Sequence, residues 1–279
     1  MEAPTVGSML LASLLLKLGG YGFLRFSLTF LAEASVYFYP VVASLGLAGV
    51  IYSSLSTIRQ SDLKRIIAYS SVAHMNLVVL GLFSFARAGL DGAIYLMVAH
   101  GITSTALFFC IGILYDSTHT RLVYYYGGLG AVAPVFASAF FIFTFGNMGF
   151  PGTPGFIGEF LVLAGVLQHS MVIAILAATS VVTSAAYGTL LANRVLFGAI
   201  KTVYINNYID ANRLQVYTLA GLLAASVITG VCAASVLPYA TQTVSEILSY
   251  CKPRSSNSGM LLFVTIYTSK SKLFSPAPH

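Results

Sequence analysis

The 279-residue chain is 57% hydrophobic and only 8% charged, with a formal net charge of +6. A water-soluble domain carries roughly 25% charged residues and could not hide this much apolar surface at such a length. The solvent is therefore lipid, which excludes a soluble globular enzyme and assigns the basic excess to membrane anchoring and orientation rather than to nucleic-acid binding.

A run of about 20 apolar residues crosses a hydrocarbon core of roughly 30 Å. The predicted crossings are residues 6–27, 36–58, 66–86, 92–114, 131–167, 171–193 and 216–237. They make an all-α polytopic membrane protein of about seven transmembrane helices. Met1 to Thr5 is short and polar, and no cleavable signal peptide is expected there. The fifth run is too long for one simple crossing and contains Met148-Gly-Phe-Pro-Gly-Thr-Pro-Gly155. Its prolines and glycines withdraw backbone donors and helix preference together. Unpaired backbone at membrane depth survives only beside protein or water, so a helix broken in mid-membrane is expected. Such breaks mark transport sites.

Short loops favour a compact bundle of antiparallel neighbours. If the chain starts on side A, the loops there hold Arg59, Lys64, Arg65, Arg121, Arg194, Lys201 and Arg213, whereas side B holds Arg25 and Arg87. The positive-inside bias makes side A the cytoplasm-like or matrix face. Residues 1–240 are expected to form the transmembrane bundle and 241–279 a C-terminal tail of unassigned role, whose Lys252, Arg254, Lys270 and Lys272 run against that bias.

Four strongly titratable side chains lie well inside the apolar runs: Lys17, His74, His100 and Glu159. Placing one such group in lipid costs at least about 2.5–3.5 kcal/mol. At roughly 1.5 Å of rise per residue, all four fall in the middle third of the bilayer. If they face one another, they form a row along the membrane plane rather than a ladder across it. Desolvation draws lysine and glutamate toward neutrality, and histidine passes a proton between its ring nitrogens near neutral pH. That chemistry suits a lateral proton relay, with Ser70, Ser71, Thr103, Ser104 and Thr105 available to hold connecting water. No carboxylate cluster suggests a sodium or calcium site. The bland alternatives are a histidine that only packs through hydrogen bonds and a lysine that snorkels. Gly19-Gly20 and Gly127-Gly128 read as close-packing or turn residues, and no phosphate-loop pattern is present. Cys110, Cys232 and Cys251 lack metal-ligand or paired spacing; the first two read as small core residues.

Three stretches resemble one family. They are Glu2–Phe26 around Lys17, the segment Arg59-Gln-Ser-Asp62-Leu-Lys64-Arg65 through Tyr69 to His74-Met-Asn76, and Phe150-Pro-Gly-Thr-Pro-Gly-Phe-Ile-Gly-Glu159-Phe160. Together with Val98-Ala-His100-Gly101 and Tyr125-Tyr-Gly-Gly128, they resemble the antiporter-like subunits of NADH:ubiquinone oxidoreductase (complex I), over roughly residues 2–240. The wording is nearest the subunit 4 branch in its mitochondrial versions. These subunits are relatives of the Mrp cation/proton antiporters.

The resemblance implies the second half of an inverted-repeat fold, with the broken helix carrying Glu159. It implies that Lys17 is the central proton-holding lysine, that His74 and His100 line a hydrated axis, and that Glu159 lies toward the proton exit. It implies residence in the mitochondrial inner membrane and no cofactor or metal in this chain, with NADH, FMN, iron–sulfur clusters and ubiquinone bound by partner subunits. The family's first half has no counterpart in this sequence: either another chain supplies it in trans, which is the expectation favoured, or the sequence is a truncated form. Other membrane-arm subunits and lipids are the remaining expected partners. A stand-alone Mrp-like cation/proton antiporter component and a structural membrane scaffold remain as alternatives.

Overall fold

The computed structural model describes residues 4–201, 210–233 and 237–251. Helix α1 runs Thr5–Phe30 and contains two widened π-turns, Leu11–Leu15 and Phe23–Ser27. The short α2, Ala32–Tyr37, leads into α3, Tyr39–Ile58. Then follow α4, Leu63–Leu82, and the 32-residue α5, Arg87–Thr118. A single 3₁₀ turn at Val123–Tyr125 and the short α6, Leu129–Val132, precede α7, Pro134–Asn147. The remaining helices are α8, Pro154–His169; α9, Met171–Leu196; α10, Arg213–Val231; and α11, Leu237–Cys251.

Helices α1, α3, α4, α5, α9 and α10 are each long and apolar enough to cross a membrane. Helices α7 and α8 are each too short to cross alone, and together they make the seventh crossing, broken where the sequence predicts it. Gly149 and Gly152 occupy the left-handed region, with φ of 71° and 94°, which only glycine enters without strain. Pro154 then opens α8, where its missing N–H costs no helical bond. The chain is thus an integral, multi-pass, all-α membrane protein.

The loops of side A knit together. Asp62 and Leu122 form an antiparallel bridge, the Leu63 N–H donates to the Arg121 carbonyl at 2.9 Å, and the Gly128 N–H donates to the Phe197 carbonyl at 3.2 Å. The Asp210 carboxylate accepts the Val135 and Phe136 N–H groups at 3.1 and 3.0 Å, satisfying orphan donors at the start of α7. The loops bearing the seven side A cations therefore lie at one end of the bundle.

Helix α5 is the central post, packed against α1, α4, α7, α8, α10 and α11. Around it the core divides into two apolar layers. The layer toward side A includes Leu63, Ile66, Leu107, Leu114, Phe140 and Val195. That toward side B includes Leu77, Leu82, Leu90, Leu96, Val162 and Ala177. Between them lies a buried polar band: Ser70, Ser71, His74, His100, Thr103, Ser104, Thr144, Asn147, Glu159 and Ser184. Helices α4, α5 and α9 and the broken pair α7–α8 each cross apolar layer, polar band and apolar layer in register.

Two expectations need adjustment. The boundary at residue 240 falls inside α11, whose Val244 is fully buried and whose Ile247 and Leu248 pack on the side B layer. The i, i+3, i+4 spacing of those three residues gives the helix one apolar stripe. The tail lysines and arginine lie outside the described residues. Cys232 is exposed rather than in the core, because α10 ends at Val231 and Cys232 follows as its C-cap; Cys110 is buried as expected.

Candidate functional site

Each of the four titratable residues stands on a different helix: Lys17 on α1, His74 on α4, His100 on α5 and Glu159 on α8. The structure brings all four into one row, whose spatial order is Lys17, His100, His74, Glu159. Lys17 Nζ stands 2.8 Å from His100 Nδ1 and also donates to the Ala12 carbonyl in the first π-turn of α1. Widened turns of this kind recur at functional sites. The His100 and His74 rings are 5.6 Å apart between centroids and inclined at 49°. His74 Nδ1 is 3.1 Å from Glu159 Oε1, with both side chains more than nine-tenths buried.

The helix break shapes this site directly. A methyl group at Gly149 would come within 2.6 Å of Glu159 Oε2, so the glycine lets the carboxylate lie against the break. Asn147, the last residue of α7, directs its Nδ2 toward Ser70 Oγ at 3.5 Å. The Met148 carbonyl accepts from Ser184 Oγ at 3.4 Å. Backbone freed by the break is thus met by protein, as membrane depth requires.

Each end of the row pairs a carboxylate or an ammonium with a histidine. Pairing is the condition under which a buried ionisable group is tolerated. The row carries both donors and acceptors, so a proton held at one member can move to the next without leaving a bare charge. The hydroxyls expected to hold water are mostly committed as donors: Ser70 and Ser71 to the Ile67 carbonyl, Thr103 to the Ala99 carbonyl and Thr105 to the Gly101 carbonyl. Each oxygen can still accept, as Ser70 Oγ does from Asn147 Nδ2. His100 Nε2 and Ser104 Oγ are buried without a hydrogen-bond partner among the described residues, the kind of groups that internal water satisfies.

Tyr187 was not singled out from the sequence. Its hydroxyl lies 3.4 Å from His74 Nε2 and bonds the Ser70 hydroxyl. Tyrosine in membrane helices is ordinarily read as an interfacial anchor, yet Tyr187 sits nine residues inside the end of α9 at Leu196. That depth is the available signal. Asn147 was also missed, since a residue bordering a proline- and glycine-rich break reads as loop.

A broken-helix bundle with a titratable row across its middle agrees with the antiporter-like fold that the sequence resemblance implies. Residues 1–185 match the family described as NADH:quinone oxidoreductase/Mrp antiporter, TM, and the chain belongs to that family. Among curated relatives, NADH-ubiquinone oxidoreductase chain 4 of Marchantia polymorpha is 48% identical over 251 residues, covering 90% of this chain and 51% of the relative. The protein of the same name from Arabidopsis thaliana is 47% identical over the same shares. The chain spans about half the length of the curated relatives it matches. A chain of respiratory complex I from Thermus thermophilus superposes with a TM-score of 0.80 at 27% identity, covering 85% of this chain and 50% of that one. A chain of the Mrp complex from Dietzia sp. gives 0.74 at 17% identity over 83% and 51%, a likeness in fold alone.

Proposed function

We propose that this chain is a proton-translocating membrane-arm subunit of a mitochondrial NADH:ubiquinone oxidoreductase, acting as half of a subunit whose other half is a separate chain. The observation that carries the proposal is the row Lys17–His100–His74–Glu159, enclosed between two apolar layers. The names of the relatives support the assembly. NADH, flavin, iron–sulfur clusters and ubiquinone belong to other subunits in this proposal. This chain contributes no redox step.

The chemistry is transfer along the row. The Lys17 ammonium donates to His100 Nδ1, and the opposite ring nitrogen of His100 passes a proton, by way of internal water, toward the neighbouring ring of His74. His74 Nδ1 then delivers to the Glu159 carboxylate. Charge changes at a distant quinone site would bias which end holds the proton. The partner half would cover α1, the flank on which Leu10, Leu14, Leu18 and Tyr21 are exposed.

Lys17→Met and Glu159→Gln, made in the assembled complex, test this. Each is expected to reduce coupled quinone reduction and proton pumping by at least about 10²-fold, the low end for a positioned proton-transfer group, while assembly persists. Parental pumping in assembled variants would refute the role. Purification of the native assembly separates a respiratory complex from a stand-alone antiporter, because only the former carries flavin and iron–sulfur proteins with it.

A further inference from the structure

The row needs a route by which protons reach it from water, and a cleft among the described residues ends at a side chain that touches it. This small cleft of about 20 Å³, room for about one water molecule, lies at the side A ends of α3, α4 and α9. Gln60 and Arg194 lie at its rim, Thr57, Leu190 and Leu191 line its walls, and Tyr187 is its innermost member. Arg194 is exposed and Gln60 half-buried, so the mouth opens at the end of the bundle. Tyr187 is buried and lies about 10 Å further in along α9, at 1.5 Å per residue. Its hydroxyl has two neighbours in the row's polar band, His74 Nε2 and Ser70.

We propose that this cleft is a side A proton inlet and that Tyr187 is the group that hands protons from it to His74; the proposal rests on the row acting as a relay. The transfer balances without charging the tyrosine. The Tyr187 hydroxyl gives its proton to His74 Nε2 and takes one from a water molecule in the cleft, which is replenished from side A. His74, now carrying protons on both ring nitrogens, releases the Nδ1 proton to Glu159 Oε1, 3.1 Å away. The ring returns to a neutral tautomer. Histidine is suited to this step because its two nitrogens face different partners: here a tyrosine toward the cleft and a carboxylate toward the helix break.

The location also fits the packing. Tyr187 is buried, and its hydroxyl is the atom that meets His74 Nε2 in the polar band. Removing that oxygen leaves the ring's packing unchanged. The group is therefore separable by substitution into a structural and a proton-transferring part.

The experiment uses the assembled complex in sealed vesicles with side A outward. Tyr187→Phe is expected to assemble normally and to pump at least about 10²-fold more slowly, in line with the loss of one positioned proton-transfer group. Leu190→Cys, treated with a membrane-impermeant cationic thiol reagent from side A, is expected to be modified and to slow pumping, against an identically treated parent. Modification of Leu190→Cys from side B alone, or modification from side A with pumping unchanged, overturns the inlet. So does a Tyr187→Phe complex that pumps like the parent while Lys17→Met and Glu159→Gln do not; the relay then stands without this entrance. If all three variants pump normally, the relay itself is refuted. Should Tyr187→Phe fail to assemble, the Leu190→Cys measurement decides.

Discussion

On the side B flank of the polar band, α5 and α8 press together through glycines. A methyl group added at Gly92 would meet the Val162 backbone nitrogen at 2.6 Å, and one at Gly158 the Leu96 Cα at 2.8 Å; Gly165 and Gly89 touch in the same seam. On the side A flank the layer is filled by rings, with Phe136 and Phe140 stacked at 5.8 Å and both fully buried. In the same half of the bundle opens the cleft that ends at Tyr187. Lipid tails are as apolar as leucine, so helices in a membrane associate through close van der Waals fit rather than through escape from solvent. Glycines give backbone-to-backbone fit along a whole seam. Large rings fill volume but leave margins where helices diverge. One bundle thus closes tightly on one face of its charged row and stays penetrable on the other.

The largest test of that contrast is Gly158→Val. Its branched side chain would run into α5 backbone that cannot yield, at a cost of about 3 kcal/mol or more. The amount of assembled complex and its thermal midpoint should both fall sharply; an unchanged midpoint would mean the seam is loose. Phe140→Ala probes the other flank. In water such a truncation costs about 3–5 kcal/mol, but here the unfolded reference remains in lipid, so chiefly the cavity term survives, about 2 kcal/mol. Thermal denaturation reads the loss, and a cost equal to that of Gly158→Val would erase the difference between the flanks. Asn147→Leu removes one hydrogen bond to Ser70 within the band. Its expected cost is about 0.6 kcal/mol, the average for an interhelical bond in a membrane. A cost several times larger would show the amide tying the break to more than Ser70.

How much of this was written in the chain differs from part to part. The polar band is visible as Ser70 to His74 in α4 and His100 to Ser104 in α5, each flanked by apolar residues on both sides. The break at Gly149 to Thr153 is equally visible, since proline and glycine act on their own backbone. Helix α11 was less so. Val244, Ile247 and Leu248 are helically spaced, yet 15 residues do not span a membrane, and nothing nearby says which surface the stripe will meet. Tyr187 was hidden by its type, being indistinguishable in sequence from an anchor at the lipid boundary.

Hydropathy, helical rise and the conformational limits of proline and glycine are local properties. By themselves they determined the number of crossings, the position of the break and the common depth of Lys17, His74, His100 and Glu159. Only tertiary structure decided that His100 stands between Lys17 and His74, that Tyr187 turns its hydroxyl to the row, and that α11 docks on α5. Depth along a helix follows from counting residues, whereas the direction a side chain faces depends on how each helix is rotated against its neighbours. That rotation is set by the whole bundle's packing, in which glycines on one flank and aromatic rings on the other have unequal parts.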